Sequence, residues 1–174
     1  IHGQNNLSPI YFFLLGSGGA LDKNLPVDNP AFNKLIKKIT KQYKVGIHPS
    51  YRSNEEAEEL SKEIKRLSSI IPLPVKKSRQ HYIKFDLPFT YQNLIGHGIN
   101  EDYSMGYDSI NGFRASTSNP FYWFDLSSNV KTELKVFPFC FMATSLRQAH
   151  PKKFVLIQRY RKPILETILY DKDA

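Results

Sequence analysis

The sequence predicts an α/β protein built on a layered sheet or an irregular barrel. Three observations carry that prediction. Ile10 to Leu15 is a continuous apolar run that suits a strand covered on both faces. Helical stripes alternate with such runs in the first half of the chain, and strand-like runs follow in quick succession in the second. With 174 residues, a single domain over 1–174 is the default, large enough to bury a sizeable core.

The elements follow in order. Ile10-Tyr-Phe-Phe-Leu-Leu15 ends in Gly16-Ser-Gly-Gly19. No Gly-Lys-Ser/Thr follows, and Pro26, Asp28 and Pro30 prolong the loop, which argues against a phosphate cradle. Asp28 or Asn29 is placed to cap a helix with Pro30 at its first position. Phe32, Leu35, Ile36, Ile39 and Tyr43 then fall on one face. Val45-Gly-Ile-His48 is the next strand, completing a β-α-β unit with an expected right-handed crossover. Ser53 and Glu56 have capping-box spacing, and Ala57, Leu60, Ile64 and Leu67 carry a helix to about Ser69. Glu63 precedes Arg66 in it, and Pro72-Leu-Pro74 stops it.

Val75 to Phe85 supplies a short strand and a loop bearing His81. Pro88 to Ile95 is a short helix closed by Gly96 and Gly98. Ile99 to Tyr107 reads as a strand turning into a loop at Glu101, Asp102 and Ser104. Gly112 to Ser116, Pro120 to Leu126, and Leu134 to Met142 with its interrupting Pro138 are further strands. Lys152 to Tyr170 reads as a helix broken at Pro163.

Composition narrows the classes. Hydrophobic residues make up 41 % and charged residues 23 %, values of a globular protein rather than a disordered one. The net charge of +8 raises nucleic acid as a partner. However, Lys34, Lys37, Lys38 and Lys41 lie on one helical segment and Lys62, Lys65 and Arg66 on another, where they read as solvated faces. Anionic polysaccharide is an equally good sink for that charge, and nucleic acid is not the expected partner. No apolar run reaches the ~18–20 residues that span a bilayer. Ile10 to Leu15 lacks the basic flank and cleavage site of a secretory signal, so a soluble protein of cytoplasm or periplasm is expected. The opening Ile1-His-Gly without Met suggests an excised piece of something longer. Cys140, the one cysteine, excludes an internal disulfide and sits in an apolar run, as a buried inert thiol would.

His48 and His81 are the residues with most chemical promise. Each follows a short apolar run, and strand ends that feed polar loops are where α/β proteins place their chemistry. Neutral imidazole is the commonest metal ligand and a natural base near neutral pH. The plainer alternative for His48 is a loop histidine bonded to a backbone carbonyl, and for His81 a surface strand residue. His97 reads as a loop residue between two glycines, and His2 as part of a frayed terminus.

Gly46-Ile-His-Pro-Ser-Tyr51, followed by Ser53-Asn-Glu-Glu56, resembles the second motif of the NodB-homology polysaccharide deacetylases. There a strand ends in a metal-binding His, a second His follows four residues on, and a helix begins. Ser78-Arg-Gln-His-Tyr82 resembles their Arg-x-Pro-Tyr/Phe motif, and Thr90 to Ile95 with Gly98 to Asp102 is similar to the next helix and strand. Phe12-Phe-Leu-Leu-Gly16, Asp102-Tyr-Ser-Met-Gly-Tyr107, Gly112-Phe-Arg-Ala115 and Pro120-Phe-Tyr-Trp-Phe-Asp-Leu126 resemble a Bacteroidetes-type branch. The likeness covers about residues 10–146; the tail after Leu146 falls outside it.

The resemblance implies a distorted (β/α) barrel and divalent-metal deacetylation of N- or O-acetylated carbohydrate, with zinc the first expectation. In such a scheme the metal activates water and polarises the acetyl carbonyl, a carboxylate takes the proton, and a His returns one. Carried onto this chain, His48 is a metal ligand and His81, standing in the Pro position, replaces the missing second His. Asp102 is the carboxylate, with Arg79 orienting a carboxylate through a bidentate contact. Tyr51, Tyr82, Tyr103, Tyr107, Tyr122 and Trp123 supply sugar-stacking surfaces. The plainer alternatives are a turn cap for Asp102, a solvated Arg79 and core packing for the aromatics.

Three departures weigh against a complete active site. The Thr-Phe-Asp-Asp motif is absent, Arg52 stands where the second His belongs, and His150 lies in a context unlike the family's late His. Acetate release from this chain alone is therefore expected to be weak or absent. The alternative is a non-catalytic carbohydrate-binding or truncated deacetylase-like domain, in which Arg52 fills a metal-free site.

Overall fold

The computed structural model describes residues 7–142. The expected helix over 152–170, His2 and His150 lie outside the described residues. Nine elements follow one another: β1 (Ile10–Phe13), α1 (Pro30–Thr40), β2 (Lys44–Ile47), α2 (Ala57–Ile70), β3 (Lys77–Ser78), α3 (Phe89–Gly96), β4 (Glu101–Asp102), β5 (Phe121–Asp125) and β6 (Val130–Val136). The strands form one six-stranded sheet in the order β1-β2-β3-β4-β6-β5. All neighbours pair in parallel except β5, which runs antiparallel to β6. The fold is therefore mixed α/β on a mostly parallel sheet. The described strands leave β1 and β5 as its two edges. Among the described residues no helix is long and apolar enough to cross a membrane.

The helices form where the sequence places them. Asn29 caps α1, its side-chain oxygen accepting from Ala31 N and Phe32 N, with Pro30 in the first turn. Ile36 is fully buried and Phe32 and Ile39 pack against the core, but Leu35 stays 49 % exposed. The core lies between sheet and helices: Phe13 ends β1 and Leu15 follows it, Ile47 ends β2, Leu60 and Leu67 come from α2, Tyr91 and Leu94 from α3, and Leu134 and Val136 from β6.

Strand alternation puts Gly46 on the opposite face, paired with Phe12. A Cβ there would stand 2.6 Å from Lys77 O and 2.8 Å from the Phe12 ring. Backbone cannot yield as a flexible side chain can, so Gly46→Ala is expected to cost about 2 kcal/mol. A lower urea midpoint with unchanged slope would show it, and an unaltered midpoint would refute it.

Several local expectations are corrected. Ser53 and Glu56 do not form a capping box. Ser53 sits in a 3-10 turn (Arg52–Asn54) and donates to Ser50 O, while Glu56 pairs with Arg52 at 2.8 Å. Helix α2 starts at Ala57 with no side-chain cap, because the buried Ser53 hydroxyl finds its acceptor within the preceding turn. Glu63 does not pair with Arg66, which reaches Leu15 O and Glu59 instead. No strand forms over Gly112 to Ser116, where both end residues adopt positive φ. The last strand stops at Val136, before Pro138, which has no N–H to offer a ladder. Cys140 is half-buried.

Candidate functional site

Parallel pairing brings the C-terminal ends of β1, β2 and β3 to one edge of the sheet, and the loops beyond them meet there. His48 directly follows β2 and His81 lies three residues beyond β3. His48 N donates to Phe13 O and His81 N to Pro49 O, so the main chain fixes both loops. His48 Nε2 and His81 Nδ1 face each other at 3.0 Å, with ring centroids 4.9 Å apart at 73°. The outer nitrogens are also held. His48 Nδ1 donates to Arg79 O at 2.5 Å, and His81 Nε2 lies 3.0 Å from Leu21 O and 3.9 Å from Asp22 Oδ1. A carbonyl can only accept, so His48 carries its proton on Nδ1 and presents a lone pair at Nε2. Burial lowers the His48 imidazole from 6.5 to about 4, with nearby His81 and Arg79 acting in the same sense against the Arg79 carbonyl bond. The ring is neutral at pH 7.

Beside the pair stand two tyrosines. The Tyr82 ring is 4.5 Å from His81 and 6.0 Å from Tyr51, both edge-on, and Tyr82 is 57 % exposed. Lys84 Nζ lies 3.6 Å from the Tyr51 ring. Tyr82 and Ile83 both adopt positive φ, 56° and 53°. That conformation is strained for a β-branched residue, and strain of this kind gathers at functional loops.

Two buried carboxylates hold the His48 loop from behind. Glu63 Oε2 accepts from Ser50 N at 3.1 Å and Asp22 Oδ1 from Tyr51 N at 2.8 Å. Glu63 is fully buried, and its Oε1 has no hydrogen-bond partner. Burial raises its carboxyl from 4.5 to about 7, with Glu59 and Asp22 adding to the rise and the Ser50 bonds opposing it. Neither residue is among the site candidates that the sequence offers. The available signal for Glu63 was its position between Leu60 and Leu67 on the apolar stripe of α2; Asp22 carries none.

Apart from the Arg79 main chain, the structure does not bring the other expected residues onto the histidines. Asp102 is fully buried, its carboxylate accepting from Ser78 Oγ (2.6 Å), Ser104 Oγ (2.8 Å), Ser104 N (2.9 Å) and Tyr91 OH (3.1 Å). Burial raises its carboxyl while these donors oppose the rise. Arg79 contributes its main-chain carbonyl to His48, and its guanidinium lies over the Phe139 ring at 4.3 Å; among the described residues no carboxylate is in salt-bridge contact with it. Trp123 is 8 % exposed and packs edge-on against Tyr91 in the core. Tyr103 stacks on Phe137 and donates to Glu101. Tyr122 lies on edge strand β5 with Lys131 over its ring, and Tyr107 is partly exposed. Arg52 does not fill the space between the imidazoles; its guanidinium is exposed and paired with Glu56. His97 caps α3, its Nδ1 lying 2.8 Å from Asn93 O.

Two nitrogens with carbonyls at their backs have the orientation of metal-binding imidazoles. A protein metal centre takes at least three protein groups. Among the described residues, no group of three or more His, Cys, Asp or Glu is placed to hold an ion. Asp22 stands beyond the outer nitrogen of His81, on the wrong side to join the facing pair. The described residues do not by themselves fit a resident metal.

The fold and the paired histidines define a mixed α/β protein with a polar site at the C-terminal edge of its sheet. No protein-family model and no curated protein matches the chain. Among solved structures it is similar to IcaB from Ammonifex degensii, with 16 % identity and a TM-score of 0.44 over 59 % of this chain and 50 % of that one. The chain thus spans about half the length of that protein. A likeness of this size decides neither activity nor site.

Proposed function

We propose that the chain is a deacetylase-like domain that binds acetylated carbohydrate at the C-terminal edge of its sheet. The observation that carries this reading is the meeting of His48 and His81, from loops similar to two deacetylase motifs, beside the exposed Tyr82 ring. In this reading Tyr82 and Tyr51 offer ring faces to a sugar, and the rigid loops aim them. Hydrolysis needs a carboxylate base and further metal donors, which the described residues do not supply at the histidines. A closed (β/α) barrel likewise requires strands beyond the six described. Binding with weak or absent acetate release is therefore the favoured form.

A second reading keeps metal-dependent deacetylation. It rests on the carbonyl-held backs of both imidazoles and takes its remaining donors from outside the described residues.

Calorimetric titration with N-acetylglucosamine oligomers, with and without Zn²⁺, tests both. Tyr82→Ala is expected to weaken binding about tenfold. A protein that binds no acetylated oligomer, or whose Tyr82→Ala variant binds equally well, defeats the proposal. Zinc-stimulated acetate release that His48→Ala abolishes would raise the second reading above the first.

A further inference from the structure

Helix α1 carries a feature that saccharide binding leaves unused. Lys34, Lys37, Lys38 and Lys41 recur at i, i+3, i+4 and i+7, so they form one stripe along α1 and its C-cap. All four are exposed, and α1 contains no acidic residue. Among the described residues none of the four is in an ion pair. Like charges at these spacings disfavour a helix, and the stripe has no carboxylate to offset them. Helix α2 differs: its Glu59 is met by Lys62 and Arg66.

The stripe borders an apolar groove of about 520 Å³ between the C-terminal ends of α1 and α2. Lys37, Thr40 and Lys41 form one wall, and Ile70, Ile71 and Leu73 line the other side. Leu73 is 56 % exposed between two prolines. The helix C-termini that end here each bring about half a negative charge, against the full charges of four lysines, so the region is net positive.

We propose that this groove docks an acidic peptide segment of a partner protein, an apolar side chain entering between Ile70 and Leu73 and flanking carboxylates meeting the lysine stripe. Charge complementarity selects the acidic flank, and the concave apolar lining selects a side-chain anchor. A bilayer would be met by a protruding apolar surface, and a nucleic acid has no aliphatic group for the groove.

The test is fluorescence anisotropy with a labelled synthetic peptide in which Leu and Phe are flanked by glutamates. Binding is expected to weaken about tenfold in the Lys37→Glu, Lys41→Glu double variant and to recover when the peptide flanks are lysines. Leu73→Ser should weaken it without lowering the melting temperature, since that side chain is mostly exposed. The proposal is overturned by absence of binding, or by equal binding of a peptide with Ser at both anchor positions. Tighter binding to phosphatidylglycerol vesicles or duplex DNA, indifferent to Leu73→Ser, would also overturn it.

Discussion

Replacing Asp102 with Ala is expected to cost about 4 kcal/mol of folding stability, enough to unfold a marginal domain. The carboxylate is fully buried and accepts four hydrogen bonds, from Ser78, Tyr91 and twice from Ser104. Truncation leaves all four donors without an acceptor where water does not reach, and each pays its desolvation cost unreturned. Asp102→Asn keeps one acceptor oxygen and is expected to cost about half as much. Urea denaturation of the three proteins measures both. A catalytic base at the edge of a site would behave differently: its removal would abolish turnover and leave the midpoint unchanged. An unchanged midpoint for Asp102→Ala would therefore show that the network contributes little to the fold.

Glu63→Gln should change how stability depends on pH. The Glu63 carboxyl is raised from 4.5 to about 7 in the folded protein, so between those values the native state holds a proton that the unfolded chain has released. Its contribution is complete below about 4.5 and is lost as pH rises through about 7, a swing of order 3 kcal/mol. His48 acts in the opposite sense. Lowered from 6.5 to about 4, its contribution is complete above 6.5 and is lost as pH falls through about 4. Over the overlap the two slopes offset each other. The Gln variant keeps an oxygen for Ser50 N and cannot ionise, so it unmasks the His48 slope. The variant should gain on the wild type from about pH 4.5 to pH 7 and level off above it, measured as urea midpoints across that range. Parallel curves would show that Glu63 ionises at its ordinary value despite its burial.

The sequence places Asp102 at a strand end, and in the structure it closes β4. What the sequence does not display is that Ser78 on the neighbouring strand, Tyr91 on α3 and Ser104 after the strand all turn their donors onto it. Ser78 lies 24 residues away and meets Asp102 through strand pairing, and Tyr91 meets it through the packing of α3. Glu63 had a visible cue, a carboxylate on the core-facing stripe of a helix, but its partner Ser50 belongs to a loop whose course is set by other bonds. The failed capping box has the same cause: Ser53 spends its hydroxyl on Ser50 O.

By itself the sequence determined the periodic elements: the apolar run of β1, the capped stripe of α1, the body of α2 and the short helix α3. These depend on contacts within a few residues and on which side faces the core, and side-chain spacing encodes both. Only the tertiary structure decided that the two imidazoles face each other at 3.0 Å, that Asp102 belongs to the core, and that Trp123 packs inside while Tyr82 stands out. Each of these is settled by the register of strands far apart in the chain, and a one-residue shift would send every side chain to the other face.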